Sequence, residues 1–499
     1  MLEPNPADIA ALFDPPPDAV LETHISRIYL CGDRAWKLKK AVTLPYVDFA
    51  SLQQRRAACE REVALNRRTA PELYIGVRAV YRGADGRLGF AEHGLPLEWL
   101  VEMQRFDPSQ TLDRLAAQDG LTPEMVDILV ETIADFHAKA DRSPQDGLSA
   151  LAKPFAMNDA AFAGLEKDAL PATELAALRA SLAAEQRKQR QLLIRRGAAG
   201  RIRRLHGDLH LRNIVLIDGR PVLFDCLEFD EALGTGDTFY DFAFLLMDLL
   251  AGNARHGGRR DLANRALNHY LELSDDYEGA VLLPLYVALR AAIRCHVAAL
   301  NRDTWSEARR YLALARRVLQ PVNPQLIVIG GLSGTGKSTI ARRVAPALGM
   351  PCGAVILRSD VIRKRQFGIP VLQRLPKEAY TAESGRRTYQ AMLERAGDLL
   401  RGGATVILDA VFGLEEERHA AEALAQDCGA GFSGLWLEAP LHILTSRVSA
   451  RARDASDATA DVVHWQSQTL TPPQDWIGID VSGPPDPIVA AVVALLTHR

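Results

Sequence analysis

The chain is 499 residues long, enough for two to four domains, and its formal charge of −3 supplies no net field that would draw it to nucleic acid or to a membrane surface. With 48% apolar and 24% charged residues it has the composition of folded globular protein, which excludes a disordered polyelectrolyte. Six cysteines lie scattered with no C-x-x-C pair, which argues against a disulfide framework or a cysteine zinc site.

The N-terminal stretch MLEPNPADIAALFDPPPDAV is acidic and Pro-rich, unlike a secretory signal, and no run reaches eighteen apolar residues. A cytoplasmic location with no membrane partner is therefore expected. Residues 24–40 alternate apolar side chains on both sides of Gly32-Asp33, which predicts a hairpin. A helix follows over about 51–68, then a second hairpin turning at Asp85-Gly86, then a strand over 98–106. From about 110 to 320 the chain reads as mostly helical, with short β-like runs at 214–216 and 222–225. Lys37 and Lys39 are two apart on a predicted strand and so share a face. The next helix offers Glu60 and Glu62.

The segment RLHGDLHLRNIVLIDGRPVLFDC carries the chemistry of this half. Asp208 and Asn213 are five apart on a loop, and Asp225 follows twelve residues later at the end of a β-like run. That is the spacing of a kinase catalytic loop and its magnesium aspartate. Asp208 is placed to orient and deprotonate an acceptor hydroxyl, and Asn213 and Asp225 to hold Mg²⁺ against the phosphates of ATP. His206 buttresses the loop. The acidic run 228–237 with Asp241 is either a pocket for a cationic acceptor or a set of caps and solvated turns. The basic run 187–204 is either an anion-attracting surface or a solvated helix end.

Pro321 and Pro324 then break the pattern and read as a linker. Apolar strands at 326–329, 354–357, 405–408 and 435–437 alternate with helical segments, which implies a parallel α/β sheet. GLSGTGKST supplies G-x-x-x-x-G-K-S at Gly331, Gly336, Lys337 and Ser338. Backbone N–H groups of Ser333, Gly334, Thr335 and Thr339 join these in wrapping phosphates, Lys337 reaches the β- and γ-phosphates, and Ser338 ligates Mg²⁺. Asp360 sits where open α/β sheets place ligands and can accept a hydroxyl proton. Arg363, one helical turn on, can hold an anionic group. Asp409 ends an apolar strand in the manner of a Walker B aspartate. Arg447, Arg451 and Arg453 could close over the transferring phosphoryl as a lid.

These motifs carry resemblances. H-G-D-x-x-x-x-N at 206–213 resembles the aminoglycoside phosphotransferase and choline kinase branch of the kinase-like fold. That implies a bilobal α+β domain over residues 1–320, with an N-lobe of about 1–105 and a C-lobe of about 106–320. It also implies a phosphate lysine, for which Lys37 in its A-x-K setting is preferred to Lys39. Glu62 in its E-V-x-L-N setting is preferred to Glu60 as the partner. Backbone groups near Glu102 and Met103 would form the adenine hinge. Residues 324–499 resemble polynucleotide-kinase-like, gluconate-kinase-like and zeta-toxin-like P-loop kinases, in which the aspartate of S-D-x-I-R is the catalytic base. The whole chain resembles bacterial fusions of an aminoglycoside phosphotransferase-like domain with an AAA-type ATP-binding domain. A bifunctional ATP- and Mg²⁺-dependent phosphotransferase acting on small-molecule hydroxyls, sugar-like ones foremost, is expected. The alternatives are an ATP-binding regulatory half, an aminoglycoside resistance kinase, or a nucleic-acid end kinase. Nothing in the sequence specifies an oligomeric state.

Overall fold

The computed structural model describes residues 6–44, 47–166, 168–252, 257–349, 351–450 and 455–497. Contacts divide the chain into two compact units, the first of residues 1–166, 186–248 and 253–256, the second of 167–185, 249–252 and 257–499. Pro321 and Pro324 do mark a break in secondary structure, between the helix Trp305–Val318 and the strand Gln325–Gly331. The division by contacts lies upstream of them, so the helices of residues 260–318 share a compact unit with the P-loop segment. Prolines report where the backbone stops being regular, and they carry no information about which surfaces pack together.

The first unit begins with a six-stranded sheet: β1 (Ala19–Glu22), β2 (Ser26–Cys31), β3 (Arg34–Lys39), β4 (Tyr74–Arg82), β5 (Leu88–Gly89) and β6 (Glu98–Gln104), in the order β1-β2-β3-β6-β4-β5. Both predicted hairpins are present. Gly32 takes φ +55° at the first turn, a conformation open to glycine without penalty. Helix α1 (Leu52–Asn66) starts at a capping box, in which Ser51 Oγ accepts from Gln54 N–H and Gln54 Oε1 accepts from Ser51 N–H. Its inner face carries Arg55, Cys59, Glu62, Val63 and Asn66, spaced three and four apart. Cys59 and Val63 join Ala35, Tyr74, Val101, Met103, Val215 and Val222 in one apolar cluster. The strand pair β7 (Ile214–Ile217) and β8 (Arg220–Leu223) follows the H-G-D loop, and α2 (Thr238–Ala251) runs almost wholly buried behind it.

The second unit holds α3 (Arg260–Ser274) and a five-stranded, all-parallel sheet. Its strands are β9 (Gln325–Gly331), β10 (Val355–Arg358), β11 (Val406–Asp409), β12 (Gly431–Glu438) and β13 (Ile477–Asp480), in the order β10-β11-β9-β12-β13. The last was not foreseen: four residues of I-G-I-D with one face half exposed give little apolar signal. The P-loop leaves the central strand β9 at the point where the strand order reverses, the expected ligand crevice of such a sheet. Helices α4 (Lys337–Val344) and α5 (Ser359–Gln366) follow β9 and β10. Among the described residues one helical stretch, Tyr277–Ala299, is long and apolar enough to cross a membrane, and 72% of its apolar window is buried inside the fold, as in a core helix.

Candidate active sites

In the first unit, β3 and α1 bring three charged side chains, Lys37, Lys39 and Glu62, to the chain after β8. Lys37 Nζ lies 2.7 Å from Glu62 Oε1 and 2.7 Å from Asp225 Oδ1. Lys39 also pairs with Glu62, and with Glu228. Two ammonium groups thus meet three carboxylates, leaving one negative charge in excess. Burial opposes ionisation of Glu62, but Lys37 and Lys39 outweigh it and hold the carboxyl at about 2, below its usual 4.5. Burial likewise works against charged Lys37, and Asp225 and Glu62 overcome it, so this ammonium stays protonated. Glu60, in contrast, is exposed and pairs with Arg56 at 2.8 Å.

The loop is held from behind. Asp241 of α2, 1% exposed, accepts from the backbone N–H of His206 (3.2 Å) and of Gly207 (2.8 Å), with His137 Nε2 3.3 Å away. His206 Nε2 is 3.0 Å from Phe224 O, tying the loop to the strand that leads to Asp225. Burial keeps that imidazole below its ordinary pKa. Asn213 Nδ2 donates to Asp208 Oδ2 and O, both at 3.0 Å, and His210 Nε2 is 3.3 Å from Asp208 Oδ2. Asp225 has φ +59°, a strained value for a non-glycine residue. Its N–H donates to Tyr74 Oη (3.1 Å), and the next N–H donates to Asn66 Oδ1 (2.8 Å). Asp241 therefore lies beneath the loop and lines no acceptor pocket, correcting that half of the sequence reading. Met103 is placed inside β6, opposite Ala35 and Tyr74, and the chain leaves the sheet only after Gln104. The adenine hinge expected at Met103 thus falls at sheet-paired backbone, because a strand's end cannot be read from its apolar run to the residue.

In the second unit the P-loop wraps an open cradle. Gly331 (φ +133°) and Gly334 (φ +89°) approach Leu437 O and Leu444 O so closely that a Cβ at either would sit 2.6 Å from that oxygen. A Cβ at Gly336 would meet nothing within 4 Å, and Gly336 caps α4. Ser333 N–H is held by Gln466 Oε1 at 2.9 Å, and Thr335 Oγ1 donates to Leu332 O at 2.8 Å. Lys337 Nζ lies over the loop, donating to Gly331 O (2.9 Å) and Leu332 O (3.0 Å). Ser338 Oγ donates to Asp409 Oδ2 at 2.6 Å, and Thr339 is exposed. Asp360 opens α5; burial first, and Asp409 second, raise its carboxyl pKa against the pull of Arg358, Arg363 and Lys337. Arg363 stacks over Tyr380, 5.2 Å from the ring centre. Asp457 gathers Lys364 Nζ (3.1 Å), Leu375 N–H (2.9 Å) and Tyr380 Oη (2.7 Å). Arg447 donates to Val481 O at 2.8 Å. Arg451 and Arg453 lie outside the described residues.

The donor sets suit the groups a kinase needs. Ser338 and Asp409 present hydroxyl and carboxylate oxygens, as do Asp225 and the Asn213 amide, and hard oxygen donors are what Mg²⁺ takes. The glycine cradle fits phosphates, since Gly331 and Gly334 let the loop turn where a side chain would clash and Gly336 leaves open space at the start of α4.

Residues 46–283 match the Phosphotransferase enzyme family, and residues 326–473 match an AAA domain family. An uncharacterized protein of Mycobacterium tuberculosis is 32% identical over 473 residues, covering 91% of this chain and 90% of that protein. Among solved structures, a choline/ethanolamine kinase family protein from Mesorhizobium loti is 16% identical, over 60% of this chain and 87% of that one, with a TM-score of 0.37. A gluconokinase from Sinorhizobium meliloti is 23% identical over 35% and 93%, with a TM-score of 0.26. The two family matches give an N-terminal domain of the Phosphotransferase enzyme family and a C-terminal AAA domain carrying the P-loop, and the chain belongs to the same family as its mycobacterial relative.

Proposed function

We propose that each half transfers the γ-phosphoryl of ATP to a hydroxyl of a small molecule. The observation that carries this reading is that two complete sets of groups are assembled separately: Lys37, Glu62, Asp208, Asn213 and Asp225 in one, Lys337, Ser338, Asp360 and Asp409 in the other. In the first, Asp208 takes the acceptor proton, with Asn213 holding its carboxylate in place. Lys37, fixed by Glu62, meets the phosphates. In the second, Lys337 exchanges its two carbonyl partners for phosphate oxygens, and Asp360, kept partly basic by its buried setting, takes the acceptor proton. Arg363 is placed one turn away to hold an anionic part of that acceptor. Mg²⁺ held by Asn213 and Asp225, or by Ser338 and Asp409, supplies neutralisation of phosphate charge. The acceptor class expected is small polyhydroxylated or acidic metabolites.

ATP turnover in Lys337→Ala and in Asp225→Ala, measured separately in the full chain, tests the reading. Each variant should lose part of the turnover, and the double variant all of it. If either single variant alone abolished it, one half would be a nucleotide-binding module and not a second enzyme.

A further inference from the structure

The P-loop is gripped by a carboxamide from far along the chain. Helix α6 (Ala460–Thr469) packs against the loop: its Val463, fully buried, clusters with Leu444 and Val448, and Leu332 of the loop packs on that cluster. Leu470, just past the helix, covers Gly413, where a Cβ would sit 2.8 Å from both leucine methyls. Gln466 lies between these two anchors, 7% exposed, and its backbone carbonyl accepts from Leu470 N–H at 2.9 Å. One peptide of the loop, Leu332–Ser333, is bonded at both ends. Its carbonyl accepts from Lys337 Nζ (3.0 Å) and Thr335 Oγ1 (2.8 Å), and its N–H donates to Gln466 Oε1 (2.9 Å). A backbone N–H can only donate, so the carboxamide oxygen is the atom that faces it. The N–H₂ on the other arm of Gln466 makes no hydrogen bond among the described residues. Buried amides ordinarily satisfy both arms, and a spare donor beside a phosphate cradle suits an anionic acceptor.

We propose that Gln466 is a further ATP-binding residue of the P-loop half: its oxygen fixes the Leu332–Ser333 peptide and its N–H₂ donates to the terminal phosphate. The proposal rests on the reading of the P-loop as an ATP cradle. In that reading Lys337 leaves the carbonyls of Gly331 and Leu332 for the β- and γ-phosphates, so the charge it serves lies beside the peptide that Gln466 holds. The N–H groups at the start of α4 serve the inner phosphates. Once the ammonium departs, Thr335 and Gln466 still keep that peptide from turning. Ser333 N–H therefore serves Gln466, and the N–H groups after it wrap the phosphates. A carboxamide meets both demands, accepting from the loop and donating to phosphate. A carboxylate at the same place accepts from the loop but repels phosphate, and a methionine thioether offers neither a donor nor a strong acceptor.

The test is titration calorimetry of a non-hydrolysable ATP analogue and of ADP, each with Mg²⁺, into the full chain carrying Asp225→Ala. The same protein with Lys337→Ala added is the blank for nucleotide held by the other half. Gln466→Glu and Gln466→Met should each weaken binding of the ATP analogue by about tenfold or more, and of ADP by less than about threefold. The retained ADP binding shows that the loop is still folded. Equal losses for the two nucleotides, which loop support alone would give, overturn the proposal, as does either variant that binds the analogue like the parent. If the parent and the Lys337→Ala blank bind the analogue alike, the ATP-cradle reading itself falls, and the proposal with it.

Discussion

Replacing Glu62 by Gln tests the charge network of the kinase-like half. The side chain is fully buried and joined to two buried ammonium groups, Lys37 and Lys39. The substitution leaves Lys37 with Asp225 and Lys39 with Glu228, and turns an amide N–H₂ towards one of the cations. Breaking a buried ion pair by removing one partner costs about 3–5 kcal/mol. For a unit of this size each kcal/mol lowers the melting temperature by roughly 2–4 °C, so a drop of about 6–20 °C is expected. Glu60→Gln, which breaks only an exposed i,i+4 pair, should cost about 0.5 kcal/mol or less. Calorimetry at several pH values adds a sign. The Glu62 carboxyl titrates at about 2 when folded and near 4.5 when unfolded. Its contribution is therefore complete above 4.5 and lost as pH falls through the folded value. The gap between wild type and Glu62→Gln should stay level from about pH 8 to pH 5 and close only below about pH 4. In a Lys337→Ala background, ATP affinity measured by titration calorimetry should also fall in Glu62→Gln and not in Glu60→Gln. A Glu62→Gln cost under about 1 kcal/mol, or an equal cost for Glu60→Gln, would refute the network as the phosphate anchor.

Asp241→Ala removes the acceptor of two buried N–H groups and should destabilise by about 2–5 kcal/mol, seen in urea unfolding, with loss of phosphoryl transfer by the kinase-like half and not by the P-loop half. Gly334→Ala forces a Cβ to 2.6 Å from Leu444 O at φ +89°; it should cost about 1–3 kcal/mol and abolish ATP binding at the P-loop, read by calorimetry in an Asp225→Ala background. Asp360→Asn should silence the P-loop half and yet raise its melting temperature at pH 7. The folded pKa lies above the unfolded 3.8, so the ionised wild type pays its penalty as pH rises through these values. That gain should disappear below about pH 4, and a gain that persists there would contradict a buried ionisable carboxyl.

Much of both sites was legible because their chemistry is local in sequence. Asp208, Asn213 and Asp225 span eighteen residues, and the P-loop eight, so spacing alone carried them. The choice between Glu60 and Glu62 was open in the sequence because neighbours on a helix differ only in which face they turn to the sheet. Gln466 and Arg358 were missed, and Glu228 and Asp241 were singled out without their buried partners, because those partners lie far along the chain or in another strand. The basic run 187–204 read as either an anion-attracting surface or a solvated helix end, yet Arg196 is buried on Asp237, at 2.8 Å from Oδ1. A charge run gives no hint that one member finds a buried carboxylate forty-one residues away. Of the three arginines of R-x-x-x-R-x-R, Arg447 donates to the backbone carbonyl of Val481, a partner that the spacing does not reveal, and Arg451 and Arg453 lie outside the described residues.

The central claim is that one chain carries two working phosphotransferase sites. The most direct measurement incubates a metabolite extract with γ-labelled ATP and wild type, Asp208→Asn or Asp360→Asn, and separates the labelled products by mass spectrometry. The account predicts that each variant loses a distinct phosphoryl attachment that the other retains. Labelled products identical to those of wild type in either variant would contradict it.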